Sequence, residues 1–115
     1  VRGEQRRVLV VGAGRSGRAL ARELAETPDT RVVGFLDDNP RLRRRRVQGV
    51  PVLGSIGDAA GALETTRADE LVVTIPDAPS ERLEELERAC DAVGISHRVL
   101  RERPLPPTPT RALAE

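Results

Sequence analysis

The sequence predicts an α/β domain with a five-stranded parallel sheet and helices on both faces, and three observations carry that prediction. Short apolar runs alternate with amphipathic stretches along most of the chain. A glycine-rich turn, Gly12-Ala13-Gly14-Arg15-Ser16-Gly17, joins the first apolar run to the first helical stretch. An acid, Asp37, closes the second run at the distance, about 20 residues, that a dinucleotide fingerprint asks for. Alternating strands and helices imply right-handed crossovers between parallel strands. The expected strand order is 3-2-1-4-5, with a crevice at the carboxyl ends of strands one and four, where the order reverses.

Strand one covers residues 7–11, a nearly continuous apolar run of the kind a sheet buried on both faces shows. Residues 19–26 are helical, with Gly17, Leu20, Ala21, Leu24 and Ala25 on one face and Arg18, Arg22 and Glu26 turned away. Thr27-Pro28-Asp29 stops the helix, because proline has no N–H to extend it. Strand two covers residues 31–36. Asp37-Asp38-Asn39-Pro40 is a turn, the arginine run 41–46 reads as a solvated charged loop, and residues 49–54 form a third strand. Pro51 places that strand at the sheet edge, since it cannot donate to a ladder. Ser55 and Asp58 have capping-box spacing for a short helix that buries Ile56, Ala59, Ala60 and Leu63, although Gly57 and Gly61 lower its propensity. Strand four covers residues 70–75. Helix Ser80–Val93 carries an apolar stripe of Leu83, Leu86, Cys90 and Val93, and Gly94 ends it. Strand five covers residues 96–100. The domain is expected to span residues 1–103, and the Pro-rich residues 104–115 read as an extended tail or linker.

In this Rossmann-like arrangement each glycine has a separate task. Gly12 permits the tight turn, Gly14 lets a pyrophosphate approach the backbone, and Gly17 lets the helix pack on the strand. The helix's unpaired N–H groups and positive dipole end face the same point. Arg15 and Ser16 stand at that helix start as further phosphate contacts, and Ser16 is also placed to cap. Asp37, with Asp38 beside it, is a candidate for the ribose hydroxyls, and the alternative is a turn residue at a strand exit. Thr74, Ile75 and Pro76 end strand four beside the crevice, where a cofactor or ordinary strand-end packing would use them. An acid at the ribose favours NAD over NADP, while an arginine from 41–46 is the group that would receive a 2′-phosphate.

Composition narrows the chemistry. The 115 residues carry a formal charge of +1 and make one small domain, so neither nucleic acid nor membrane is an expected partner. All nineteen basic residues are arginine, and Lys, Tyr, Trp and Met are absent. No Schiff-base lysine and no Tyr-plus-Lys proton relay can therefore be drawn from these residues. The missing methionine suggests a domain cut from a longer polypeptide. Cys90 cannot form an internal disulfide and sits on an apolar stripe, which suits a reducing cytoplasmic setting. His97 starts strand five at the end of the sheet away from the crevice, where it reads as a surface residue. No metal site and no catalytic residue is expected.

Val33-Gly34-Phe35-Leu36-Asp37-Asp38-Asn39-Pro40, the arginine run, and Val47-Gln48-Gly49-Val50-Pro51-Val52-Leu53-Gly54 together resemble the Rossmann, CoA-binding-like module of bacterial polysaccharide-biosynthesis proteins. The likeness covers roughly residues 6–101. It is similar to the module that precedes the catalytic part in nucleoside-diphosphate-sugar 4,6-dehydratases and epimerases and in undecaprenyl-phosphate sugar phosphotransferases. A related module in sugar O-acyltransferases usually carries Gly-His where this chain has Arg15-Ser16. The resemblance implies a cytoplasmic domain of a membrane-anchored parent, whose catalytic domain is the expected partner. It leaves NAD(H), NADP(H) and a nucleotide sugar open as ligands. The leading expectation is a non-catalytic nucleotide-binding module, probed through Gly12, Gly14, Gly17 and Asp37. The alternatives are a ligand-free module that mediates homo-oligomer contacts and a nucleotide-sensing regulatory domain.

Overall fold

The computed structural model describes residues 5–100, so the predicted tail at 104–115 lies outside the described residues. In chain order the elements are β1 (Arg6–Val11), α1 (Arg15–Ala25), β2 (Thr30–Leu36), β3 (Arg46–Val47), β4 (Val50–Gly54), α2 (Ala59–Thr66), β5 (Glu70–Val73), α3 (Ser80–Val93) and β6 (Ser96–Val99). Single 3-10 turns at Pro40–Leu42 and Ile56–Asp58 precede β3 and α2.

The sheet has six strands in the order β3-β4-β2-β1-β5-β6, which corrects the five-stranded expectation. Five of them are parallel, and β3 runs antiparallel to β4. Two residues, Gln48 and Gly49, connect β3 to β4 with φ of 54° and 75°. Positive φ at both central positions matches the right-handed twist of paired strands, so this is a tight hairpin. The strand containing Pro51 is therefore interior to the sheet. Its missing N–H costs the hairpin nothing, because Pro51 pairs with Arg46 while Val52 supplies the donor to the Arg45 carbonyl, at 2.8 Å.

Continuous apolar strands are buried on both faces, and two clusters result. On one face Leu9, Val11, Leu36, Leu71 and Val73 meet Ala59, Leu63, Leu86 and Cys90 of α2 and α3. On the other Val8, Val10, Phe35, Val52 and Val72 meet Leu20 and Ala21 of α1. One helix covers the second face where two cover the first. Ala25 at the end of α1, expected on its apolar face, is left exposed, and so is Val93 in the last turn of α3.

Local polar ties hold the crossovers. Asp58 Oδ2 accepts from the Ser55 N–H at 2.9 Å and from its hydroxyl at 3.2 Å, as the capping-box spacing predicts. The Arg7 guanidinium donates to the Thr66 carbonyl at 2.7 Å, closing the C-terminal end of α2 with a cation. Glu70 on β5 receives Arg6 from β1 and Arg98 from β6, at 3.2 and 2.7 Å.

Leu63 is 1 % exposed, and its truncation to alanine is expected to lower unfolding free energy by about 2–5 kcal/mol in urea titrations. Burial, with a smaller contribution from Asp91, pushes the Cys90 thiol up to about 11. The thiolate is the reactive species, so iodoacetamide at pH 8 should leave the folded chain unmodified and alkylate it after denaturation.

Candidate functional site

β1 delivers Gly12 to the carboxyl edge of the sheet, and the turn there is held from three sides. The Gly12 N–H donates to the Leu36 carbonyl at 2.8 Å. The Ala13 N–H donates to Asp37 Oδ2 at 2.8 Å. The Thr74 hydroxyl shares its proton between the carbonyls of Val11 and Gly12, at 2.9 and 3.1 Å. Gly12 has φ +105°, and a Cβ built there would meet Thr74 Oγ1 at 2.6 Å, so both backbone and space require glycine.

Helix α1 begins directly after Gly14, earlier than its apolar pattern indicates. A Cβ on Gly17 would collide with the Gly12 carbonyl oxygen, so the helix packs against the turn without a side chain between them. Gly14 is the opposite case, with nothing within 4 Å of its notional Cβ. It is the N-cap residue, it has no side chain to cap with, and no acid stands in the first helical turn. The positive end of the helix therefore faces open space over Gly14 with no acid in its own first turn, and Asp37 is the carboxylate across that space.

That space is a cavity of about 370 Å³. The turn and helix start contribute Gly12, Gly14, Arg15, Ser16 and Gly17, while Asp37 enters from the end of β2. Thr74, Ile75 and Pro76, the end of the fourth predicted strand, close the far side. Eight of the nine predicted site residues are thus brought together. The ninth, Asp38, is diverted: its Oδ1 accepts from the Ile56 N–H and its Oδ2 from Arg82, both at 2.9 Å, which ties β2 to the starts of α2 and α3.

Both oxygens of Asp37 are engaged, Oδ2 by Ala13 and Oδ1 by the Asn39 N–H at 2.8 Å. Each carboxylate oxygen can accept two hydrogen bonds, so one position per oxygen is left for a ligand. Asp37 and Arg15 are the ionisable side chains of the cavity lining. That donor set suits binding and orientation, and it offers no pair for proton transfer. His97 pairs with Leu71 near the start of β5, below the cavity, and no run of acids, histidines or cysteines among the described residues is placed to hold a metal.

The two helix-start glycines should respond differently to substitution. Gly17→Ala is expected to lower stability by about 1–3 kcal/mol through overpacking on backbone. Gly14→Ser, which adds a capping hydroxyl in open space, should leave stability unchanged or raise it by a few tenths of a kcal/mol. Thermal or urea unfolding of the two variants checks both.

Comparison with known proteins agrees with this architecture. Residues 1–99 match the CoA-binding domain family. The chain is 27 % identical over 96 residues to the probable polysaccharide biosynthesis protein EpsC of Bacillus subtilis, covering 82 % of this chain and 16 % of that protein. It is 30 % identical over 95 residues to the capsular polysaccharide biosynthesis protein CapD of Staphylococcus aureus, covering 80 % and 16 %. The chain thus spans about a sixth of the length of these relatives. Among solved structures, the UDP-D-quinovosamine 4-dehydrogenase of Vibrio fischeri superposes with a TM-score of 0.71 at 16 % identity, over 84 % of this chain and 80 % of that one. RSP, a Rex-family repressor determined in complex with β-NADH, superposes with a TM-score of 0.68 at 23 % identity, over 91 % and 50 %. At those identities the superpositions speak to the fold, which is a Rossmann-like one. On its sequence match and on this architecture, the chain belongs to the CoA-binding domain family, in the form found in bacterial polysaccharide-biosynthesis proteins.

Proposed function

We propose that this domain is a non-catalytic nucleotide-binding module of a larger polysaccharide-biosynthesis enzyme, a nucleoside-diphosphate-sugar dehydratase or epimerase, and that its ligand is NAD(H). The observation that carries the reading is the N-terminus of α1, with no acid in its first turn, opening over Gly14 into a cavity whose opposite wall is the Asp37 carboxylate. The diphosphate lies over Gly14, where backbone can approach it, and the remaining acceptor positions of Asp37 receive the ribose hydroxyls.

A 2′-phosphate placed against Asp37 is repelled, and none of the arginines of 41–46 lines this cavity to offset it. That favours NAD over NADP. The β-NADH complex of a structural neighbour supports the nicotinamide reading, and the UDP-sugar dehydrogenase neighbour keeps a nucleotide sugar as the second ligand to test. A binding role is supported by the lining, which among the described residues holds Asp37 and Arg15 as its ionisable side chains. Catalysis falls to the parts of the parent protein beyond this chain.

Ligand binding stabilises the native state by mass action, by about 2.7 kcal/mol at a hundredfold excess over the dissociation constant. Thermal unfolding with NADH should show that increment, with NADPH giving less. Gly14→Asp separates binding from folding, because its carboxylate caps α1 and occupies the place of the phosphate. The variant is expected to fold with undiminished stability and to lose the NADH response. Asp37→Ala is a poorer probe, since it also releases the Ala13 and Asn39 N–H groups. Absence of any shift with NAD(H), NADP(H), coenzyme A or uridine-diphosphate sugars would refute the proposal.

A further inference from the structure

Charge is distributed unevenly over this domain. Five of the six residues 41–46 are arginine, all five are exposed, and none enters an ion pair among the described residues. The whole chain carries a formal charge of +1, so the remainder of it is net acidic. The run is also fixed in place. The Arg41 N–H donates to Asn39 Oδ1 at 3.0 Å, the Arg45 N–H to the Leu42 carbonyl at 3.0 Å, and the Val52 N–H to the Arg45 carbonyl at 2.8 Å. Leu42, partly buried against the core of the α1 face, anchors the loop from within. The run leads directly into β3, which puts it at the β3 edge of the sheet.

The acidic pole is α3, whose fourteen residues hold five acids and two arginines. It packs beside β6, the strand at the other edge of the sheet. Arg82 and Glu85 mark the side of α3 that faces inward along the sheet: Arg82 pairs with Asp38 at 2.9 Å, and Glu85 Oε2 lies 3.8 Å from where a Cβ on Gly57 would stand. Glu84, Glu87 and Asp91, spaced i, i+3 and i+7, are neighbours along one flank of the helix. The helical repeat turns that flank roughly 150° from the Arg82 and Glu85 side, toward the β6 edge. All three acids are exposed, and among the described residues none enters an ion pair.

Basic and acidic surfaces therefore occupy opposite edges of one six-stranded sheet. Five inter-strand spacings separate those edges by about 24 Å. Exposed charges are screened over roughly 8 Å at physiological ionic strength, so the two surfaces cannot satisfy each other within one molecule.

We infer that the arginine run of one copy of this chain docks on the acidic flank of α3 of a second copy, joining copies edge to edge and head to tail. Arg41, Arg43, Arg44 and Arg45 supply planar guanidiniums, which make charge-assisted hydrogen bonds with the carboxylates of Glu84, Glu87 and Asp91. Arg88 lies next to Glu84 on the outer face of α3, and the flank stays net negative with it included. The two surfaces differ, so the contact is heterologous and each copy keeps one surface open for the next. Exposed charges make it weak, reversible and sensitive to salt. It does not depend on what the glycine turn binds.

The experiment is analytical ultracentrifugation of the 115-residue chain over a range of concentrations. At about 20 mM salt the weight-average mass is expected to rise with concentration beyond that of a dimer, and at about 0.5 M salt to return to that of a single chain. Arg43→Gln with Arg44→Gln and, separately, Glu84→Gln with Glu87→Gln should each weaken association about tenfold or more. Mixed in equal amounts, the two variants should form a one-to-one pair and nothing larger, because one keeps the acidic flank and the other the arginine run. Pairing on mixing also shows that both variants are folded. Arg22→Gln with Arg31→Gln removes the same charge from exposed positions elsewhere and should leave association unchanged. An unmodified chain that stays monomeric at low salt, association that survives either of the first two double variants, equal loss in the Arg22 and Arg31 variant, or failure of the mixture to pair would each overturn the inference.

Discussion

The Cα of Gly17 rests against the carbonyl oxygen of Gly12 with no room for a methyl group between them, and much of the molecule is arranged around that contact. It sets how closely α1 can lie on β1, and so where the helix's positive end emerges over the sheet. Thr74 reinforces the arrangement from β5, 3 % exposed and bonded to two carbonyls of the first strand and turn. A contact between two glycines therefore depends on a hydroxyl more than fifty residues away.

The same close packing leaves the two faces of the sheet unequal. Leu63, Leu86 and Cys90 fill one face from two helices, and that side is continuous core. On the other face a single eleven-residue helix packs on the sheet, and its last residue, Ala25, is left exposed. The β3-β4 hairpin borders that area, pairing along a strand that would otherwise be an open edge. Unpaired strand edges invite association with other chains, so a two-residue strand with a tight turn has a protective effect out of proportion to its length.

Asp37 joins folding and recognition in one side chain. It fastens the glycine turn through Ala13 and the following loop through Asn39. The ribose-binding and turn-capping readings of this residue therefore do not compete, because a carboxylate has acceptor positions for both. Asp38, beside it, joins Arg82 and Ile56 instead, so two neighbouring acids of the same charge serve different partners.

Much of this molecule could be read from local pattern. Apolar runs at residues 7–11 and 31–36, helical spacing over Ser80–Val93 and the glycine positions are encoded within a few residues of one another, and the periods of strand and helix make them legible. The relative order of the five parallel strands followed from alternation and crossover handedness. What could not be read rests on contacts between distant segments. Gln48-Gly49 between two β-branched valines was a hairpin signal, but a strand of two residues has no periodicity of its own and exists because β4 is there to pair with. Asp38 finds its partner 44 residues away, and Arg46 leaves the charged run to pair with Pro51 in the hairpin. Sequence sets the direction in which each side chain leaves its own element, and the assembled sheet sets what that side chain meets.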